Sequence, residues 1–179
     1  MTPNKWALDA EHSEIQFKIR HLLISNITGH FNEFSGSMET KKHDTFENAE
    51  FTLKINVFSI DTNNTERDEH LKSEDFFNAD SFPEITFHST SFVHKEGDYY
   101  TLNGELSIKG IIKQVSFEVL FGGQLKDGFG IDRAGFEING TINRNDFDIH
   151  ANDVTEAGGL VLGEDIKLHA NVQFTHKEA

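Results

Sequence analysis

The chain has 179 residues, 26% of them charged and 36% hydrophobic, which is the make-up of a globular domain rather than a disordered segment. Its formal net charge of -14 works against binding a nucleic-acid backbone and against charge-driven docking on anionic lipid. It contains no cysteine, so disulfides and thiolate chemistry are excluded, in keeping with a reducing compartment.

The opening stretch Met1-Thr2-Pro3-Asn4-Lys5-Trp6 lacks the basic start and apolar core of a secretory signal, so a cytoplasmic location is expected. No apolar run approaches the length of a membrane span, and stable membrane insertion is not expected. From there the dominant pattern is alternation with period two. Ile15, Phe17 and Ile19 alternate with Gln16 and Lys18, which predicts a strand over 14–21 with one apolar face. A second strand is predicted over 26–39. There Phe31 and Phe34 lie three positions apart and cannot share a face of a regular strand. A third, over 47–60, carries Phe51, Leu53, Ile55 and Val57 in phase, and the adjacent Phe58 breaks it. Both breaks predict a bulge or strong bend, as barrels need at their corners.

A helical excursion follows. Asn63 is the expected cap, with Glu66 completing a capping box, and the helix runs through Lys72. Ser73 caps a second short turn through Asp75-Phe76-Phe77, and Pro83 ends the insertion. Strands are then predicted over 84–95, 98–109, 114–123, 129–144 and 163–176, with turns at Glu96-Gly97-Asp98, Gly110 to Lys113 and Asp127-Gly128. No helix alternates with these strands, so the expectation is all-β: an eight-stranded antiparallel barrel with one short helical insertion, in a single domain over 1–179.

A barrel of this size can be filled by side chains or can hold one small ligand. The inward phases carry Phe17, Ile19, Phe31, Phe34, Phe51, Leu53, Ile55, Phe87, Leu106, Phe117, Phe136, Ile138 and Leu168, with Ser89 among them. Gly29, Gly104, Gly140 and Ala170 fall in the same phases, and small residues there are expected to leave volume. Seventeen Phe against one Trp and two Tyr gives large apolar rings without polar handles, a lining suited to an extended hydrocarbon. A plain packed core explains the same pattern.

The chemistry-bearing motifs are few. Ten histidines show no His-Glu-x-x-His and no Cys partner, and His12, His21 and His30 match no ligand spacing on one strand, so no metal site and no cofactor are expected. Arg67, Asp68 and His70 on the insertion read either as a solvated helix face or as a polar cluster at the barrel mouth that anchors a ligand head group, beside the apolar Leu71, Phe76 and Phe77. No nucleophile elbow, phosphate loop or dinucleotide fingerprint occurs, and no catalytic residue is expected. Arg144 is expected to face inward or cover a barrel end, with Asp61 or Asp68 as its carboxylate partner.

The order Asp9-x-x-His12-Ser13, Gly29-His30-Phe31-x-x-Phe34-x-Gly36, Arg67-Asp68-x-His70-Leu71-Lys72-Ser73-x-Asp75-Phe76-Phe77, Phe82-Pro83-x-Ile85-Thr86-Phe87, Gly104-x-Leu106-x-Ile108-Lys109-Gly110 and Ile142-Asn143-Arg144-x-x-Phe147 resembles the YceI-like family along nearly the whole chain. The resemblance implies a lipocalin-like barrel holding a polyisoprenoid, an isoprenoid quinone or a fatty amide, as carrier or store, without catalytic activity and in a bacterial setting. Members of the family often pair as dimers, so a homodimer is the assembly to test for. One departure is Asp148, where the family often has Gly. Two other readings stand beside this one: an enzyme acting on such a lipid through His70, Asp68 and Arg67, and a stress-associated interaction module.

Overall fold

The computed structural model describes residues 2–151 and 162–176. Its strands are β1 (Asn4–Leu8), β2 (Glu14–His21), β3 (Ser25–Phe31), β4 (Phe34–Thr40), β5 (Glu50–Asn56), β6 (Ile60–Asp61), β7 (Glu84–Glu96), β8 (Tyr99–Ile108), β9 (Ile111–Lys126), β10 (Asp132–Asn143) and β11 (Leu162–His176), with one α-helix, α1 (Thr65–Lys72). Every pairing is antiparallel.

The segments join into eight staves of a closed meander. β1 and β2 form one broken stave, as do β3 with β4 and β5 with β6. The ring closes where β11 pairs with β1 through Leu8–Phe174 and with β2 through Phe17–Leu168. Closure gives every stave a paired neighbour on both sides over at least part of its length.

The expected phase breaks are the corners. Asn32 and Glu33 separate β3 from β4, and a 3₁₀ turn over Val57–Ser59 separates β5 from β6, with the Asn56 side chain accepting from the Phe58 amide. The two corners are laced together: the Asn32 amide donates to Ser59 O (3.1 Å), and the Asn56 amide donates to Glu33 O (2.9 Å). Each turn resets the alternation, so Phe31 and Ile55, and Ile60 beyond the second corner, are all buried.

A third corner explains the first sequence motif. The Asp9 carboxylate caps the 3₁₀ turn Ala10–His12, accepts from Arg133 Nη1 (2.9 Å) and pairs with His12 Nδ1 (2.7 Å). Ser13 Oγ donates to Asp9 O (2.7 Å) and accepts from the Gln173 amide (3.0 Å). Asp9, His12 and Ser13 thus hold a bend between β1 and β2. Strand β1 lies outside the predicted strands because Trp6 is its one fully buried side chain and no alternating run announces it.

The helix is capped one residue later than expected. Asn64 Oδ1 accepts from the Arg67 amide (3.0 Å), while Asn63 takes a left-handed conformation at φ 62°. Asp148 also sits in the left-handed region, at φ 57°, closing the 3₁₀ turn Arg144–Phe147. Glycine adopts that conformation at no steric cost, and Asp tolerates it, which accounts for the departure at this position.

Candidate functional site

One end of the barrel is plugged by aromatic rings. Phe136 sits at the centre, with ring centroids 5.4 Å from Phe121, 5.6 Å from Phe46, 5.7 Å from Phe51 and 6.0 Å from Phe174. Trp6, Met38 and Phe92 complete the plug and are essentially inaccessible to solvent. Above it lies a cavity of about 600 Å³, within the usual range for small-molecule sites.

Its walls are apolar. Phe17, Leu53, Phe87, Leu106, Ile138 and Leu168 contribute from the strands, and Leu71, Phe76 and Phe77 close over it from the insertion. Phe77 meets Phe31 edge-on at 6.2 Å, so the insertion packs into the barrel as a cover. The cavity also takes in Ile19, Phe31, Phe51, Ile55, Phe117, Arg67 and His70, so most of the residues expected on the ligand lie together.

Four of the expected residues lie elsewhere. Phe136 belongs to the plug. The Ser89 Oγ accepts from the Phe51 amide (2.7 Å) at a bulge in β7, which turns it into a ladder bond rather than a lining group. Phe34 sits at the β3–β4 corner, packed against the core. Asp68 Oδ1 accepts from both the amide and the hydroxyl of Thr62, so its carboxylate ties the helix to β6 and does not face the cavity.

The expected glycine volume is not simply empty. A Cβ on Gly29 would collide with the Phe17 ring, one on Gly104 with Phe87, and one on Gly140 with Phe117. Each glycine receives a phenyl ring from the neighbouring strand, and the ring sits hard against the backbone instead of crossing the lumen. Gly140 follows the point where the β9–β10 ladder ends, at Asn139–Glu118, and the Phe117 ring covers the wall there.

Polar groups gather at the open end. The His70 and Asp75 side chains line the cavity yet are 58% and 66% exposed, so the cavity reaches solvent beside them. His70 Nε2 and Asp75 Oδ2 are 3.0 Å apart. Arg67 donates from Nε to Thr62 Oγ1 (2.8 Å) and from Nη2 to Thr62 O (2.6 Å). With Glu69 on Lys72 (3.0 Å), the Asp68-Glu69-His70 run splits among three separate partners and forms no acid–base cluster.

Arg144 lies deeper, 3% exposed, and among the described residues its hydrogen-bond partners are backbone carbonyls rather than a carboxylate. Nε donates to Gly163 O (2.8 Å), and Nη1 donates to Ile149 O and Ala151 O (2.9 Å each). Asp68 is committed to Thr62, and Asp61 accepts from the Asn63 amide (2.9 Å), so neither reaches it. Burial pulls the Arg144 pKa below the ordinary arginine value, partly offset by Glu164. Three carbonyls solvate the charge in place of water.

Two features escaped the sequence reading. His21 lines the mouth, and beyond it the β2–β3 turn presents Leu22, Leu23 and Ile24 to solvent, the last 80% exposed, with positive φ at both leucines. Three consecutive apolar residues between strands, where alternation lapses, were the available signal.

Three comparisons place the chain among known proteins. The family described as YceI-like domain matches residues 6–174. A UPF0312 protein of Staphylococcus aureus (strain N315) is 37% identical over 174 residues, covering 97% of this chain and 98% of the relative. Among solved structures, a Campylobacter jejuni YCEI protein is 31% identical with a TM-score of 0.73, over 89% of this chain and 90% of that one. Burkholderia cenocepacia BcnA superposes with a TM-score of 0.80 at 18% identity over 93% and 98% of the two chains. A polyisoprenoid binding domain from Saccharophagus degradans does so at 0.70 and 14% over 96% and 98%. These last two likenesses speak to the fold.

Proposed function

The chain belongs to the YceI-like family, and on that premise we propose that it binds one long apolar lipid inside the barrel, as a carrier or store. The observation that carries the reading is the division of the cavity: apolar walls over an aromatic plug at one end, cationic and polar side chains at the other. A hydrocarbon tail gains about 0.8 kcal/mol for each methylene it withdraws from water, and the walls offer it area without polar groups to desolvate. The solved polyisoprenoid binding domain with the same fold points to the ligand class. Polyisoprenoids, isoprenoid quinones and fatty amides all fit a long tail with a small oxygen-bearing head.

The head would lie at the open end. Among the described residues, Arg67 leaves Nη1 and Arg144 leaves Nη2 without a protein acceptor, and both side chains line the cavity. Each would donate to a carbonyl, hydroxyl or phosphate oxygen. Among the lining residues that are described, Thr52 carries the one hydroxyl, and its Oγ1 is bonded to Ser37 Oγ (2.7 Å), which favours binding over nucleophilic chemistry. No helix of the described residues is long and apolar enough to cross a membrane. A cytoplasmic location and a homodimer belong to the same proposal, tested by cell fractionation and by light scattering.

Delipidated protein mixed with an isoprenoid quinone, a polyprenyl phosphate or a fatty amide should form a one-to-one complex with at least one of them in native mass spectrometry. Absence of a complex with all three classes would overturn the reading.

A further inference from the structure

We propose that the closed end of the barrel, away from the lipid cavity, carries a binding site for a divalent transition metal of the zinc class, built from His43, Asp132 and His176. The three residues come from the loop after β4, the first position of β10 and the last of β11. Their donor atoms all lie within 4.8 Å of one another. No local spacing announces them, since 89 residues separate His43 from Asp132.

Strand register brings two of the ligands together. Asp132 and His176 are direct cross-strand partners, so their side chains share a face. That face is the interior: Ala134 and Phe136 follow Asp132 in phase, and Phe174 precedes His176, and all three are buried. Asp132 is itself 5% exposed, and a carboxylate at such a place needs a strong positive partner. His43 supplies the third donor, with Nε2 2.8 Å from Asp132 Oδ2, and Gln124 Nε2 holds its loop by donating to His43 O (3.4 Å).

A His43–Asp132 ion pair does not account for the rest of the arrangement. His176 Nδ1 is buried and has no hydrogen-bond partner among the described residues. The His43 and His176 rings meet edge to face at 5.1 Å, and the indole of Trp6 packs on both, at 5.6 Å and 5.1 Å. Two imidazoles and one carboxylate, held by a packed aromatic wall, make the donor set that zinc takes in sites with an open fourth position. Metal–donor distances of about 2.0–2.2 Å require small side-chain rotations, with the His43–Asp132 hydrogen bond exchanged for two metal bonds. Lys126 Nζ stands 4.0 Å from the other Asp132 oxygen, and it is exposed enough to swing away when the metal neutralises the carboxylate. The metal would staple the loop after β4 to β10 and β11 across the barrel floor.

Tag-free, chelator-treated protein should be titrated with Zn²⁺ by calorimetry and with Co²⁺ by visible absorption. One ion per chain is expected, and His43→Gln and His176→Gln should each weaken binding at least tenfold, while the exposed control His88→Gln leaves it unchanged. The single tryptophan gives a readout that needs no variant: Cu²⁺ should quench Trp6 fluorescence in step with occupancy. Binding equal in all variants, no stoichiometric binding, or an occupied site that leaves Trp6 fluorescence untouched would each overturn the proposal.

Discussion

The Phe117 ring on β9 occupies the space that a Cβ on Gly140 of β10 would need. Ring and glycine are one device: the missing side chain lets the ring lie on the wall, and the ring seals the wall where the ladder between their strands has ended. The same relation joins Phe17 to Gly29 and Phe87 to Gly104. Three of the phenyl rings that line the lumen are thus drawn outward onto glycine, which keeps it open at these positions.

Gly140→Ala therefore destabilises the protein, although Gly→Ala in a strand is ordinarily neutral or favourable. Overpacking at such a contact costs about 1–3 kcal/mol, and the displaced ring enters the lumen. Urea unfolding should show the loss, and lipid capacity should fall with it. Phe117→Leu added to Gly140→Ala should restore part of the stability, since the smaller side chain makes room for the new Cβ.

Arg144→Met keeps much of the side-chain volume and removes every donor. The carbonyls of Gly163, Ile149 and Ala151 then lose their partner together, at a cost of about 2–5 kcal/mol. Arg144→Lys should recover only part of this, because one ammonium cannot reproduce the fork that spans three carbonyls. Chemical denaturation of both variants checks the order.

How much of this was legible in the sequence depends on where the forces act. Strands such as β2 and β9 announce themselves because one face packs and the other is wet, and the two phase breaks marked real corners. Strand β1 was silent, since it is held by its neighbours and by Trp6 more than by its own pattern. Phe136 and Leu168 are indistinguishable by phase, yet one plugs the barrel and the other lines it, because position along the axis is not written in alternation. Arg144 was expected to take a carboxylate and takes backbone carbonyls, which no residue type encodes.

Acid should loosen the β1–β2 corner. Partial burial works to raise the Asp9 pKa, but the hydrogen bonds from Arg133 and His12 outweigh it and hold the group below its ordinary value. The Arg133 hydrogen bond, with the Ile131 and Phe129 amides, does the same for Asp127. A carboxylate whose folded pKa lies below its unfolded value stabilises fully above the unfolded value, about 3.9, and the benefit disappears as pH falls through the folded one. The urea midpoint should hold steady from neutrality to about pH 5 as far as these two groups are concerned, then fall. Arg133→Gln should flatten that fall.

Ala170 lines the cavity and shares with Ala151 the smallest side chain among its described walls. Ala170→Trp should fill the lumen while leaving the plug and the corners intact, so thermal stability without lipid stays close to that of the parent protein. Lipid binding should drop at least tenfold. A melting temperature that rises on adding lipid to the parent and not to the variant reports this directly.

The most direct measurement is the content of the barrel when the protein is purified from its host under native conditions and sprayed intact. The parent chain should carry one co-purifying lipid with a long apolar tail, released on denaturation and identified in the organic extract, and Ala170→Trp purified alongside should arrive without it. A parent protein whose intact mass matches the bare chain in every preparation, with no lipid in the extract, would contradict the account.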